Sequence, residues 1–177
     1  MTSQGELRPT RRFITTLDAA GRSVFSTALQ EAPPLTPTST GMRIGFCYAT
    51  QYFPVQMDQG KDIQRYSQFI KEPPGIVVPD GTAARIADFP PGFTSAMHRT
   101  ISINYNFVIE GEVEITLDSG ETRVLRPGDV VVQRAINHAW RNTSDTKWAR
   151  IAAVSFPAAT MGMAESGTEG IVDTKSH

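Results

Sequence analysis

The chain is poor in thiols: Cys47 is its single cysteine. One thiol cannot close an internal disulfide, so nothing supports a stapled secreted scaffold. Cys47 lies in the apolar run Ile44-Gly45-Phe46-Cys47-Tyr48-Ala49 and reads as a small core residue rather than a nucleophile. No stretch reaches the roughly 20 apolar residues of a membrane span, and the polar start Met1-Thr2-Ser3-Gln4 lacks the apolar run of a signal peptide. These absences lead to the expectation of a cytoplasmic protein. Charge of one sign is missing as well. Seventeen Lys and Arg stand against eighteen Asp and Glu, interspersed, for a net charge of −1. Neither nucleic acid nor a membrane surface is therefore expected as a partner, and a small-molecule substrate is. Nucleotide, hydrolase and zinc-finger readings fall with the absence of a phosphate-binding glycine loop, a Gly-x-Ser-x-Gly elbow and a close Cys/His cluster.

What the chain has is turns. With 14 Gly and 12 Pro in 177 residues, it is long enough for one domain with a sizeable core and too short for two. Residues 1–10 read as a loose leader, 11–157 as the domain, and 158–177 as a polar tail, disordered or briefly helical. Arg12–Leu17 and Arg22–Ser26 read as strands around a turn, and Met42–Tyr52 as a strongly apolar strand. The Pro/Thr/Ser-rich stretch from Glu31 to Gly41 reads as a surface loop. One helical patch is visible, Asp62-Ile63-Gln64-Arg65-Tyr66. The barrel proper spans about residues 83–156. Its strands are expected at 83–89, 95–102, 105–109, 112–117, 121–125, 130–133, 138–142 and 147–156, with a hairpin turn at Asp118-Ser119-Gly120. Many short strands at even spacing argue for an all-β barrel or sandwich.

Only three histidines are present, His98, His138 and His177, and two of them lie on alternating segments bracketed by Pro-Gly or Gly turns. Alternation puts Thr94, Ala96, His98 and Thr100 on one face, and His138, Trp140 and Asn142 on another. Gly92, His98 and Gly111 resemble the first motif of the cupin superfamily; Pro127-Gly128-Asp129, His138 and Asn142 resemble the second. The fragment His98-Arg99-Thr100-x-Ser102-x-Asn104-Tyr105 is similar to a branch of small single-domain fungal cupins, some encoded among secondary-metabolite pathways. That branch usually reads His-Arg-Thr-x-Ser-x-Asp-Tyr, and its second motif ends Gln-Arg-Gly-Thr-x-His-x-Trp-x-Asn. The resemblance implies a double-stranded β-helix, a jelly-roll barrel, with an N-terminal strand extension at Arg12–Ser26 that pairs a homodimer. It also implies one apolar, ligand-sized pocket.

The resemblance further implies that His98, Thr100, Asn104 and His138 occupy the four positions where metal-binding cupins place their ligands. Those cupins usually supply three His and one carboxylate. Here Thr100 replaces a His, as in the branch, and Asn104 replaces the acid. His98, Asn104 and His138 are the candidate metal ligands. The cofactor reading is a divalent metal (iron, manganese, zinc or nickel) or none, and both stay open. Without a metal, His98 and His138 suit a proton relay, with Asn104 and Thr100 binding a substrate oxygen. Trp140, Arg134 and Met97 are candidate substrate contacts; each also reads as core or surface packing. Arg99 should point away from the interior. The expected function is tailoring of an aromatic or polyketide-derived metabolite by a lyase or isomerase: decarboxylation, dehydration or cyclisation. The rivals are a non-catalytic binding module and, more remotely, a metal-dependent dioxygenase.

Overall fold

The structure, a computed structural model, describes residues 6–159. The expected tail beyond 159, with His177, lies outside the described residues, as do residues 1–5. The chain forms β1 (Thr15–Leu17), β2 (Ser23–Phe25), β3 (Leu35–Pro37), β4 (Arg43–Gln51), α1 (Lys61–Lys71) and β5 (Gly81–Phe89). It continues through β6 (His98–Arg99), β7 (Ser102–Glu110), β8 (Val113–Leu117) and β9 (Thr122–Leu125). Last come β10 (Val130–Arg134), β11 (Asn137–Asn142) and β12 (Ala149–Pro157).

Two antiparallel sheets face each other, one ordered β10-β7-β12-β5-β4-β3 and the other β6-β11-β8-β9. This is the all-β jelly-roll barrel expected from the sequence. Inward alternation builds the core between the sheets, where Phe89, Phe93, Val108, Val113, Ile115, Trp140 and Ile151 are buried together. Phe89 stacks on Phe93 at 5.1 Å and on Trp140 at 6.3 Å between centroids. Fully burying each such side chain contributes about 1.5–3 kcal/mol. Gly111 carries the link from β7 to β8. Its φ is +75°, and a Cβ there would lie 2.8 Å from that of Ala149, so only glycine fits.

A second core lies under α1. The helix is longer than the five-residue patch in the sequence, and Tyr66 and Phe69, three positions apart, share one face of it. Both are buried against Phe46, Ala49, Val78 and Ala83. The tyrosine hydroxyl donates to the carbonyl of Phe46 and accepts from Arg12 Nη1 at 2.7 Å.

Three sequence expectations are corrected. The leader is tied down from residue 6: Leu7 is buried, and the carbonyl of Arg8 accepts from Arg150, itself bound bidentately to Asp88 at 2.6 and 2.7 Å. The loop from Glu31 to Gly41 contains β3, paired with β4. The strand expected at 95–102 shrinks to the two residues of β6, for a reason that matters at the site.

Candidate functional site

In β11 the register is regular. His138, Trp140 and Asn142 are buried while Arg141 is exposed, as alternation requires. Opposite it, the segment from Phe93 runs antiparallel, with Asn142 N–H on the Phe93 carbonyl at 2.9 Å and an isolated bridge from Thr94 to Arg141. By β6 the pairing is His138 with His98 and Asn137 with Arg99. Between Thr94 and His98 the register slips by one residue, and an inserted residue reverses which parity faces inward. Phe93 is therefore buried, and Thr94 and Ala96 are exposed, opposite to the expected face. The bulge restores His98 to the inside. It also leaves Met97 44% exposed and in neither core.

Directly cross-strand pairs share a face at the closest spacing in a sheet. The rings of His98 and His138 accordingly lie 4.3 Å apart between centroids, tilted by 53°. Both are held alike. His98 Nδ1 is 2.9 Å from the carbonyl of Ala96, and His138 Nδ1 is 3.1 Å from that of Ile136. A carbonyl only accepts, so each Nδ1 carries the hydrogen and each neutral ring keeps its Nε2 lone pair for something else. Among the described residues no carboxylate hydrogen-bonds to either ring. Burial, followed by the neighbouring His98 charge and opposed by the Ile136 carbonyl, pushes the His138 pKa down to about 4. His138 is thus a neutral imidazole near neutral pH.

The remaining wall comes from β7 and β10. Ser102, Asn104 and Asn106 are successive inward residues of β7; Asn104 lies opposite Gln133 of β10 on one side and Ser155 of β12 on the other. Ser102 Oγ donates to Asn104 Oδ1 at 2.8 Å, and Asn106 Nδ2 donates to Gln133 Oε1 at 2.7 Å. Thr100 is half-buried at the bend before β7, its carbonyl accepting from Ser102 N–H at 2.9 Å. Arg134 is exposed on the outward parity of β10. Arg99 is not simply turned outward: its Nε donates to the carbonyl of Ala135 at 2.8 Å, clamping the turn that leads into β11.

Trp140 belongs to the buried core and meets His138 edge-on at 6.2 Å, so it forms the apolar floor beside the imidazoles. The interior is therefore apolar at one end only, not throughout as expected. Gln133 was not among the candidates from sequence. Its signals were its place at the Gln that opens the ending of the branch's second motif and its parity with Val131 in an apolar strand. Two hollows of about 420 and 250 Å3, one lined by Tyr52, Phe53 and Phe156 and the other by Arg12, Phe13 and Phe25, contain neither histidine.

Residues 85–155 match the family described as cupin domain. A cupin-domain-containing oxidoreductase of Neurospora crassa is 39% identical over 82% of this chain and 72% of its own length. The chain belongs to the cupin family. Phomopsin biosynthesis cluster protein D of Diaporthe leptostromiformis is 48% identical, covering 86% of this chain and 81% of that protein. Among solved structures, the cupin domain of Schizosaccharomyces pombe Cnp3 superposes with a TM-score of 0.50 at 12% identity, over 83% of this cupin and 87% of that chain. That likeness concerns the fold alone.

Cupins of this layout imply a metal, and the donor set decides whether one fits. Among the described residues no group of three or more His, Cys, Asp or Glu converges on a common point. His98 and His138 offer two imidazoles. Asn104 offers a neutral amide oxygen already accepting the Ser102 hydroxyl. A tightly held divalent cation takes at least three strong donors, such as three imidazoles or two with a carboxylate, and two imidazoles with one engaged amide do not fit one.

Proposed function

We propose that this cupin is a tailoring enzyme that relocates protons on a small metabolite, aromatic or polyketide-derived, by lyase or isomerase chemistry. The observation that carries the reading is the cross-strand imidazole pair, each Nδ1–H fixed on a backbone carbonyl and each Nε2 left as an acceptor. One Nε2 takes a proton from a substrate carbon or hydroxyl. The resulting imidazolium suppresses protonation of its neighbour, and the same proton is returned to another atom of the substrate. Return to a different carbon is isomerisation; return to a leaving hydroxyl is dehydration. No electron acceptor is consumed. Trp140, edge-on to His138, would wall an aromatic ring. The biosynthetic-cluster name of the phomopsin relative supports tailoring.

Metabolite profiles test this: the native host with the gene deleted, restored, or restored as His98→Ala or His138→Ala. The expected result is that neither variant restores product. The precursor that builds up should match the product in mass, or exceed it by one water or one carbon dioxide. Full restoration by both variants would leave only a binding module.

The printed name of the Neurospora relative favours a second reading, an oxidoreductase. The same profiles separate it, because the precursor would then differ from the product by hydrogen or oxygen atoms. Metal analysis of Asn104→Asp sharpens the distinction. The unaltered protein should lose divalent metal to a chelator, and the variant, regaining an anionic donor, should retain near-stoichiometric metal. Firm retention by the unaltered protein would revive metal chemistry.

Two further expectations stand as proposals. Among the described residues no helix is long and apolar enough to cross a membrane, in keeping with a cytoplasmic enzyme. Phe13, Leu17 and Phe25 are exposed on and beside the isolated β1–β2 hairpin, in keeping with a homodimer; light scattering would report its mass.

A further inference from the structure

We propose that Gln133 binds the substrate, and that the substrate class is a small enolisable carbonyl compound whose oxygen accepts from Gln133 Nε2. This rests on the proton-transfer reading above and names what that site takes.

Gln133 is 3% exposed, and its buried Nε2 has no hydrogen-bond partner among the described residues. A buried amide donor left unmade costs about 1–3 kcal/mol, so native structures rarely keep one without a use. Asn106 Nδ2 donates to Oε1 at 2.7 Å, which makes Oε1 the engaged end and leaves the N–H end over. The side chain stands on the inward parity of β10, between exposed Val132 and Arg134, and across the sheet from Asn104.

The polar wall then has a definite hydrogen-bonding signature. The two imidazoles present acceptors, Asn104 Oδ1 already holds the Ser102 hydroxyl, and Gln133 presents a donor. A ligand that answers this wall carries an oxygen acceptor for Gln133 and a transferable or donated hydrogen for the imidazoles. A ketone with hydrogen on the adjacent carbon has both. In the step that follows, the C–H bond breaks, its proton goes to an imidazole Nε2, and its electron pair forms the enolate double bond. The charge arrives on the oxygen that Gln133 Nε2–H holds, where a positioned donor acts most strongly. Reprotonation at another carbon, or loss of a β-hydroxyl with that proton, closes the balance. The role that sequence assigned to Asn104 and Thr100, stabilising the charged oxygen, thereby passes to Gln133.

The test uses the full-length protein and three probes: acetophenone, 4-hydroxyacetophenone and phenol. Their binding is followed by calorimetry and by the side-chain amide resonances of Gln133, assigned by their loss in Gln133→Met. Both ketones should shift those resonances at saturation, and phenol should leave them in place. Gln133→Met should weaken ketone binding roughly three- to tenfold, the worth of one neutral hydrogen bond, without weakening phenol. Gln133→Glu keeps an acceptor for Asn106 and removes the donor, so it should reproduce the loss even if the methionine variant folds poorly. Unshifted Gln133 resonances with saturating ketone, or equal ketone affinity in Gln133→Glu, would overturn the proposal. Either result would mean that trapped water satisfies the amide. The two readings fail separately. Metabolite profiles lost in His98→Ala but kept in Gln133→Glu would sink the carbonyl class alone, whereas ketone binding through Gln133 with intact profiles in both histidine variants would sink proton relay.

Discussion

Strand β11 passes through two interiors that obey opposite rules. At its C-terminal end every polar atom is answered: Asn142 Nδ2 donates to the carbonyls of Phe89, Pro90 and Lys147 at 2.8–3.1 Å, and its Oδ1 accepts from Ser144. Trp140 beside it is packed against Phe89. Four residues before Asn142, His138 meets an imidazole, and on the other sheet the buried amide of Gln133 keeps an Nε2 with no partner among the described residues. Both ends are buried, so burial does not separate them; satisfaction of polar groups does. A closed network rigidifies a fold, whereas open acceptors and a spare donor cost stability and make sense only with a ligand. The motif residue Asn142 thus belongs to the scaffold, and Gln133, outside the candidate set, belongs to the site.

The largest test of that division substitutes one residue at each end. His98→Ala removes half of the proposed relay from a half-exposed position. Turnover should fall about 10²- to 10⁴-fold, the usual worth of general acid–base catalysis, with stability changed by less than about 1 kcal/mol. Trp140→Ala should do the reverse to the fold, costing about 3–5 kcal/mol through lost burial and a residual cavity. Denaturant titration and product assay on the same two proteins decide it. If His98→Ala unfolds the protein as readily as Trp140→Ala, the two ends are not distinct.

Which parts of this were legible from sequence follows from where the chain is regular. Alternation along His138-Ala139-Trp140-Arg141-Asn142 gave the correct inward set because β11 pairs without interruption with β8 along those five residues. The same rule failed on Thr94 and Ala96 because a single inserted residue, invisible in composition, reverses parity before β6. His98 still faces inward for a reason the rule did not contain. That it meets His138 directly is a matter of register between segments 40 residues apart, which local pattern cannot supply. Helix α1 was read short because only Tyr66 and Phe69 of its eleven residues are buried, too few for a clear stripe. Gln133, although it stands at the Gln of the branch's second-motif ending, escaped because a lone amide in a valine-rich strand reads as a solvated position. Its meaning emerges only when the partner of each of its atoms is known.

A smaller effect sharpens the comparison through pH. An unfolded His138 takes up its proton near pH 6.5, whereas the folded one resists until about 4, chiefly through burial. Between those values the unfolded chain binds more protons, so stability falls as pH falls. The loss is complete near pH 4 and amounts to about 3 kcal/mol. Nothing comparable is expected from Asn142 or Trp140, which do not titrate. Urea unfolding from pH 7 to 4.5 should show this slope in the unaltered protein and a shallower one in His138→Gln. Parallel slopes would mean that other groups govern the acid limb.

The smallest effect concerns the turn that joins the two halves of the site. Ala135 adopts φ +52°, a left-handed conformation that costs a residue with a Cβ about 1–2 kcal/mol, and the fungal branch it resembles places Gly there. The turn is held from three directions. Ala135 N–H donates to Ser102 at 2.9 Å, its carbonyl accepts from Arg99, and the next carbonyl, of Ile136, accepts His138 Nδ1. Those bonds fix the backbone whichever residue occupies the position. Ala135→Gly should therefore relieve the strain without moving the imidazole. Part of the gain is returned through the greater freedom of glycine in the unfolded chain, which leaves a net stabilisation below about 1 kcal/mol and turnover unchanged. If the variant is instead destabilised while turnover drops, the buried methyl of Ala135 is itself setting the position of His138, and the turn belongs to the reactive end of the barrel rather than to its frame.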